Sequence, residues 1–339
     1  MYGLDPNRLY VTYYEGDPSS NVPPDLESRD MWLSLGVPPS HILTGTAKDN
    51  FWEMGRIGPC GPSSEIHYDL VGGRDASALV NQDDPTVIEI WNVVFVTFSR
   101  EEDRSLTVLK ERHVDTGMGL ERLVCALQGV RSNYDTDLFK PLLDKIQELV
   151  GPGVQPYRGR FGEDDEDGVD TAYRIVADHA RTLTIALADG CIPDNVGRGY
   201  VVRRILRRGI YHAQKRLSVT TGSFFGSLVP TVVELLQEVY PGIASDVQSR
   251  GVSVILDREE TMFAKTLGRG ERMFTKFVKV AKERGTNQLS GEETWKLYES
   301  FGFPTDLTRL MAEELGMTID EEGVAVAQER SREASRGKS

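Results

Sequence analysis

The segment Thr86–Phe98 (TVIEIWNVVFVTF) constrains the fold of this chain more than any other. It is β-branched or aromatic at nearly every position, which predicts a central strand buried on both faces. Glu89 and Asn92 interrupt the apolar run. A buried polar side chain without a hydrogen bond would cost roughly 1–3 kcal/mol. Asn92 is therefore expected either to pair with neighbouring backbone or to point at a ligand.

A second strand is predicted at Leu106–Val114, after the polar turn Arg100–Ser105. Two extended runs joined by a short polar turn are typical of an antiparallel hairpin. The chain then reads VDTGMGLER over Val114–Arg122 and enters a predicted helix at Leu120–Leu127, whose apolar residues recur at i, i+3, i+4 and i+7.

The junction holds Asp115, then two glycines in alternate positions, and then Arg122. Glycines at such a turn let a ligand approach the backbone. Flanking charges of opposite sign could hold an ammonium and a phosphate of one ligand. The alternative is a plain strand-to-helix connection whose two charges face water.

The segment Lys48–Asp69 (KDNFWEMGRIGPCGPSSEIHYD) combines three glycines and two prolines with apolar residues, among them Trp52. An apolar loop of this composition is more often the wall of a ligand site than a simple connection. It then enters a strand-like stretch at Glu65–Tyr68.

The second half of the chain is predicted to be helical. A helix at Asp137–Val150 ends a first domain, 1–150, and residues 151–168 form a linker whose acidic run is expected to be solvated and flexible. Residues 169–320 show helical patterning without a convincing strand, and Asp306 is a plausible N-cap. The apolar-poor segment 321–339 is expected to be frayed or disordered.

Positive charge concentrates at Asn195–Leu217, which holds seven Lys or Arg and no acid within a chain of net charge −13. The overall charge argues against indiscriminate coating of nucleic acid, so a polyanion needs a local patch. A compact cationic face on one helix favours contact with a phosphate backbone. The alternative is a solvated helix face that pairs with acids elsewhere. The residues of this face are Arg203, Arg204, Arg207 and Arg208.

Composition limits the class of protein further. The three cysteines, Cys60, Cys125 and Cys191, lie far apart with no zinc-ligand spacing, which predicts free thiols and no metal site built from side chains. No apolar run approaches a membrane span, and the start has no signal-peptide pattern. A soluble protein of the cytoplasm is expected, with a mitochondrial form left open.

Taken together, these motifs resemble one family. Asp115–Arg122 resembles the third signature motif of class II aminoacyl-tRNA synthetases. The Lys48–Asp69 loop is similar to alanyl-tRNA synthetases in particular, as are Glu89–Phe95 (EIWNVVF), Asn195–Arg208 and Phe301–Thr308 (FGFPTDLT). The match is collinear over nearly the whole chain. The resemblance implies an α+β fold, in which part of the class II antiparallel sheet with its helices precedes an all-helical tRNA-recognition domain.

The resemblance also implies an activity, alanine–tRNA ligation. ATP and alanine would react to alanyl-adenylate, and alanine would then pass to the 3′ end of tRNA(Ala). The implied partners are therefore tRNA(Ala), alanine and ATP, with Mg²⁺ accompanying ATP, no zinc in this chain, no membrane and a monomeric state.

Site residues are carried over by the same resemblance. Asp115 and Arg122 would be catalytic, the first on the alanine ammonium and the second on the triphosphate. Alanine would contact Trp52, Asn92, Val94, Asp115 and Gly117; ATP would contact Trp52, Ile90, Trp91, Asn92, Gly119 and Arg122. Readers of a G·U pair in the acceptor stem would be Asn195 and Asp306, with Arg203, Arg204, Arg207 and Arg208 on the phosphates.

The sequence departs from the family at several points. Signature motifs 1 and 2 and the editing domain with its zinc cluster have no counterpart here, and Ser63 stands where the family usually has a second cysteine. The chain is therefore expected to be a fragment with half of an ATP site. A non-catalytic tRNA-binding module derived from the same family is the alternative.

Overall fold

A computed structural model describes residues 2–18, 22–220 and 222–336 of the chain. It divides into two units, Met1–Phe139 and Lys140–Ser339. The division falls before the segment 151–168 that the sequence predicts as a linker. The reason is the helix α4 (Lys140–Val150), which packs against helices of the second unit and buries Leu142 and Ile146 completely.

The first unit contains one mixed, mostly antiparallel sheet. Its strands follow the order β2-β1-β4-β5-β6, and β3 pairs with β4; only the β1–β2 pair is parallel. The strands are β1 (Leu9–Tyr14), β2 (Ile42–Gly45), β3 (Phe51–Glu53), β4 (Gly58–Asp69), β5 (Val87–Arg100) and β6 (Leu106–Met118). In the described residues, three α-helices accompany the sheet, namely α1 (Leu26–Ser34), α2 (Ala47–Asn50) and α3 (Leu120–Gln128).

The hairpin predicted from Thr86–Phe98 and Leu106–Val114 is present, as β5 and β6 pair antiparallel. Burial of β5 on both faces was the wrong expectation, however. Only four of its side chains are buried and the others are half-buried. The physical reason is its neighbour β6, which ends the sheet order and is largely exposed, so one side of the hairpin has little cover. The buried residues are Val87, Ile90, Val94 and Val96.

The second unit is built from helices, as predicted, apart from a two-residue parallel pair between β7 (Gln288–Leu289) and β8 (Thr318–Ile319). No helix in the described ranges is long and apolar enough to span a membrane. After α4 the helices are α5 (Val169–Ala188), α6 (Gly197–Arg216), α7 (Phe224–Leu236), α8 (Ile243–Arg250), α9 (Val252–Glu283), α10 (Gly291–Phe301), α11 (Thr305–Glu313) and α12 (Glu321–Arg336).

The expectation of a disordered tail is wrong over residues 321–336, which form α12. Val324 and Ala327, one helical turn apart, are buried, and α12 packs against α10. The close approach of Gly291 in α10 to the Gly323 backbone and the Arg330–Glu292 ion pair (2.9 Å) add to this apolar contact, so the helix is docked although most of its residues are polar or charged. Residues 337–339, the rest of the predicted tail, lie outside the described residues.

In the acidic run before α5, residues 163–167, four of the five acids are exposed as expected, and Asp165 alone is buried. Asp170 has no exposed surface and accepts hydrogen bonds from the backbone N–H groups of Arg158 and Arg160 (both 2.9 Å) and from Arg160 Nε (2.9 Å). Asp165, also buried, accepts from the Asp170 N–H (3.1 Å). Asp165 satisfies two N–H groups of the first turn of α5, those of Asp170 and Thr171, and Asp170 satisfies donors of the loop, so the two carboxylates together hold the loop against the start of the helix.

Candidate functional site: the β5–β6 hairpin and the α6 face

The register between β5 and β6 brings the predicted amino-acid residues together. Asn92 lies opposite Gly117 and Val94 opposite Asp115, so these four occupy two alternate rungs of the ladder, with the pair Val93–Thr116 between them. Cross-strand partners of this kind lie about 4.5–5.5 Å apart. Gly119 closes the junction, since its N–H donates to the Ile90 carbonyl at 3.1 Å just before α3 begins.

The Asn92 amide is fixed at both of its ends. Its Oδ1 accepts from the Gly117 N–H (3.1 Å), and its Nδ2 donates to Glu89 Oε1 (3.0 Å). A Cβ atom at position 117 would lie 3.1 Å from Asn92 Oδ1. A glycine at this position therefore leaves enough space for the Asn92 amide. The orientation of Asn92 is therefore determined by its partners and does not depend on a ligand.

Glu89 links Asn92 to the predicted catalytic arginine. Arg122 Nη1 donates to the Glu89 backbone carbonyl (3.0 Å) and to Glu89 Oε2 (3.2 Å). Sequence reasoning noted Glu89 only as an interruption of the strand and missed this role. The sequence did contain a signal for this role, because the carboxylate of Glu89 within an apolar strand needs a hydrogen-bond or ion-pair partner.

Asp115 is exposed, and its Oδ1 accepts from the Thr116 N–H at 2.8 Å. Thr116 is held in turn, because its Oγ1 accepts from Trp91 Nε1 and donates to the Asn92 carbonyl (2.9 Å). In the described part of the chain, no cationic side chain forms an ion pair with Asp115. The carboxylate therefore keeps its negative charge available for a ligand cation.

The remaining predicted residues of this unit differ in accessibility. Trp52 pairs with Gly61 across β3 and β4 and is about one-third exposed. Val94 is buried at its rung beside Asp115. Ile90 is also buried, but it packs into a core cluster with Leu123, so its side chain is not available to a ligand at the surface.

In the second unit, the four predicted arginines do not form one free face. Arg203 forms a bidentate ion pair with Glu259, and Arg207 donates to the Gly302 carbonyl (2.6 Å) with its guanidinium over the Phe263 ring. Burial lowers the pKa of Arg207. Among the described residues, neither Arg204 nor Arg208 forms an ion pair, and Arg208 is exposed.

Asp306 is not the N-cap of α11. The helix begins at Thr305 after Pro304, which leaves Asp306 in the first turn, and Asp306 Oδ1 is buried without a hydrogen-bond partner in the described residues. Asp306 is near Tyr200, whose pKa is raised chiefly by burial and, to a lesser degree, by negative charge that includes Asp306.

Tyr200 and Asn195 both line a cavity of about 510 Å³. The cavity combines three arginines with an aromatic wall, which is the chemistry that nucleic acid requires of a protein surface. The other lining residues are Val196, Arg203, Arg204, Arg207, Trp295, Tyr298, Glu299, Gly302, Pro304, Gln328 and Ser331.

Comparison with known proteins decides the family. The family described as "tRNA synthetases class II (A)" matches residues 1–339. The chain belongs to this family. The mixed fold and the family predicted from the sequence are thereby confirmed, with the sheet unit as the partial class II sheet.

Among curated relatives of this synthetase chain, the alanine–tRNA ligase of Candida albicans is 56% identical over 99% of the chain. The mitochondrial alanine–tRNA ligase of Saccharomyces cerevisiae is also 56% identical over 99%, and the cytoplasmic one of Bombyx mori 54% over 100%. Each match covers 34% of the relative. The chain thus spans about a third of the length of the relatives it matches.

Class II tRNA synthetases use ATP and a divalent metal ion. In the described residues, no group of three or more His, Cys, Asp or Glu side chains could hold a metal by itself. Mg²⁺ is commonly held by one or two carboxylates together with substrate phosphates. The donor set here fits that mode, since Glu89 offers one half-exposed carboxylate beside Arg122.

Proposed function

We propose that this chain is part of an alanine–tRNA ligase, which attaches alanine to the 3′ end of tRNA(Ala) with ATP as the second substrate. The observation that carries the proposal is the carboxylate of Asp115, which has no ion-pair partner in the described residues and lies two rungs from the fixed amide of Asn92, itself bonded to Glu89 of the Glu89–Arg122 pair. The relatives named alanine–tRNA ligase support the choice of alanine.

In the first step, a carboxylate oxygen of alanine attacks the α-phosphorus of ATP, the bond to the β-phosphate breaks, and pyrophosphate leaves. Asp115 holds the alanine ammonium, which directs the reacting carboxylate. Arg122 faces the phosphates and stabilises the negative charge that develops there. Val94 packs near the alanine methyl group, while Gly117 and Gly119 line the pocket and Trp52 and Trp91 flank the adenylate. Mg²⁺ bound with the nucleotide would neutralise phosphate charge. Glu89, beside Arg122, would be the side-chain carboxylate that helps to hold it.

In the second step, the terminal tRNA hydroxyl attacks the activated carbonyl and AMP leaves. The tRNA is held by the helical domain, residues 169–320, while residues 1–150 carry the activation site. Asn195 and Asp306 read the G·U pair of the acceptor stem, Asn195 as a donor and Asp306 as an acceptor. Arg204 and Arg208, which have no acidic partner in the described residues, contact phosphates.

The test is alanine-dependent exchange of pyrophosphate into ATP, by this chain and by a longer polypeptide that contains it. Replacement of Asp115 by Asn removes the charge and keeps the shape. It should lower kcat/KM for alanine about 10- to 100-fold, as expected for a hydrogen bond to a charged group. Asp144→Asn, which changes an exposed carboxylate of α4, is the matched control. No exchange above background in either polypeptide would reject the proposal.

A monomer that acts in the cytoplasm is part of the same proposal. The location is supported by the cytoplasmic name of one relative, although another carries a mitochondrial name, and the monomer follows from the resemblance alone. Sedimentation of the purified protein with and without tRNA tests the monomer. Fluorescence microscopy of the tagged protein in its own cells tests the location.

A further inference from the structure

Most of the N–H groups of Arg203 donate to acceptors within the second unit. Its Nε donates to Glu259 Oε2 (3.0 Å), and its Nη2 donates to Glu259 Oε1 (3.0 Å) and to the Pro193 carbonyl (3.2 Å). Its Nη1 donates to Asn195 Oδ1 at 2.6 Å. Four of the roughly five N–H groups that an arginine carries therefore have protein acceptors.

This arrangement determines which way the Asn195 amide points. An arginine has donors only, so the Asn195 atom that faces it must be the oxygen, and Nδ2 with its two N–H groups is directed away. Asn195 is exposed, whereas the Arg203 and Glu259 side chains are only 17% and 14% exposed. A well-shielded bidentate pair therefore holds an exposed amide in one orientation.

We propose that Arg203 and Glu259 are positioning residues that set the donor orientation of Asn195 toward the RNA minor groove. The inference rests on the proposed function, in which Asn195 reads the G·U pair. Arg203 then acts through Asn195 and contributes little to phosphate contact, because Glu259 already neutralises its guanidinium. Glu259, 56 residues away in the sequence, acquires a role that no sequence motif indicated.

The orientation matches the chemistry of the ligand. An outward Nδ2 donates to the acceptors in an RNA minor groove, the pyrimidine O2, the purine N3 and the ribose 2′-hydroxyl. In a G·U wobble pair, the guanine N2 amino group has no partner on uracil, and Asp306 is a suitable acceptor for it. If the Asn195 amide were free to flip, it would present an acceptor about as often as a donor, and the discrimination between G·U and G·C would weaken.

The test compares two RNA hairpins that differ only in this pair, G·U or G·C, bound to the 339-residue chain. Wild type should prefer G·U. Glu259→Gln breaks the charged pair and should reduce that preference about 10-fold, mainly by weaker binding of the G·U hairpin. The slope of log Kd against log salt should not become smaller, since no phosphate contact is lost and the Arg203 guanidinium is no longer neutralised by Glu259.

Two controls separate positioning from charge. Arg204→Ala should weaken both hairpins about equally and lower the salt slope by about one, with the preference retained. Glu271→Gln makes the same chemical change elsewhere on α9, at a carboxylate near Lys215, and should leave both affinities as they are.

The outcomes are distinguishable. If wild type shows no preference for G·U, the proposed reading of that pair fails. If wild type prefers G·U and Glu259→Gln keeps the full preference, the positioning role is overturned. Thermal unfolding followed by circular dichroism checks that each variant is folded. Should Glu259→Gln not fold, Glu259→Asp keeps the charge but shortens its reach, and an unchanged preference in that variant overturns the proposal in the same way.

Discussion

Arg122 donates from one nitrogen to both the backbone carbonyl and the side-chain carboxylate of Glu89, at 3.0 and 3.2 Å. The same carboxylate accepts from Asn92 through its other oxygen. Glu89 thus holds the two ends of the proposed activation site, the amide near alanine and the guanidinium near phosphate, in one fixed relationship.

Glu89→Gln should therefore impair activation. The variant keeps the side-chain shape but loses the charge and one of the two acceptor oxygens that Asn92 and Arg122 use, so we expect kcat for alanine-dependent pyrophosphate exchange to fall about 10-fold. Stability should change little, because the pair is part-exposed. Arg112→Gln, which breaks an exposed ion pair with Glu27, serves as control and should be neutral. An unchanged kcat in Glu89→Gln would remove Glu89 from the site.

Gly117→Ala tests the packing of the amide. The added methyl group would lie 3.1 Å from Asn92 Oδ1, close enough to force the amide to move by a few tenths of an ångström. We expect KM for alanine to rise several-fold with a smaller effect on kcat, since a displaced Asn92 loosens substrate binding. Gly153→Ala, with no atom near the added methyl group, is the control. Equal KM values in both variants would contradict the role of Asn92.

Glu260 should give the second unit an unusual pH dependence. Its carboxylate is 1% exposed and accepts the N–H groups of Phe224 (3.2 Å) and Phe225 (3.0 Å) at the start of α7. Burial raises its pKa to about 7, above the ordinary 4.5. Between these pH values the folded state binds more protons than the unfolded state. The contribution of Glu260 to the free energy of unfolding is therefore lost as pH rises, by roughly 3 kcal/mol.

The measurement is urea unfolding at about pH 5 and about pH 7.5, for wild type and Glu260→Gln. The neutral amide still accepts a backbone N–H but does not titrate, so the variant should gain stability relative to wild type as pH rises. A difference between the two proteins that is independent of pH would contradict the raised pKa.

Two histidines should have the opposite effect. Burial lowers the pKa of His179 and of His212 to about 4, and each Nε2 is buried without a partner in the described residues. The unfolded state binds more protons between about pH 4 and about pH 6.5, so their stabilising contribution is lost as pH falls through this window. His212→Gln should make the free energy of unfolding less sensitive to pH there. The same acid sensitivity in variant and wild type would count against this assignment.

The sequence predicted the hairpin because its signal is local, a polar turn between two apolar runs. It could not predict the register, since the pairing shifts between Val96 and Phe98 and such a bulge has no clear signature. The resemblance, by contrast, placed Asn92 and Asp115 in one site, and the register puts them two rungs apart.

Contacts between distant residues explain what was missed in the second unit. The spacing of the α6 arginines correctly indicated a basic helix. Whether each guanidinium was free depended on partners 56 and 95 residues further on, namely Glu259 for Arg203 and the Gly302 carbonyl for Arg207. A local pattern gives the charge of a face, and the tertiary structure decides how much of that charge is available.

The buried carboxylates Asp165 and Asp170, just before and at the start of α5, have a practical consequence for dissecting the chain. A protein cut at residue 169 would retain Asp170 but lose Arg158, Arg160 and Asp165, which satisfy it or depend on it. It would begin with an uncompensated acid at its first helix. A protein that starts at Lys140 keeps all of these partners and α4 as well. A truncated protein should therefore begin at the start of α4, and it should keep residues 151–168, which follow that helix, intact.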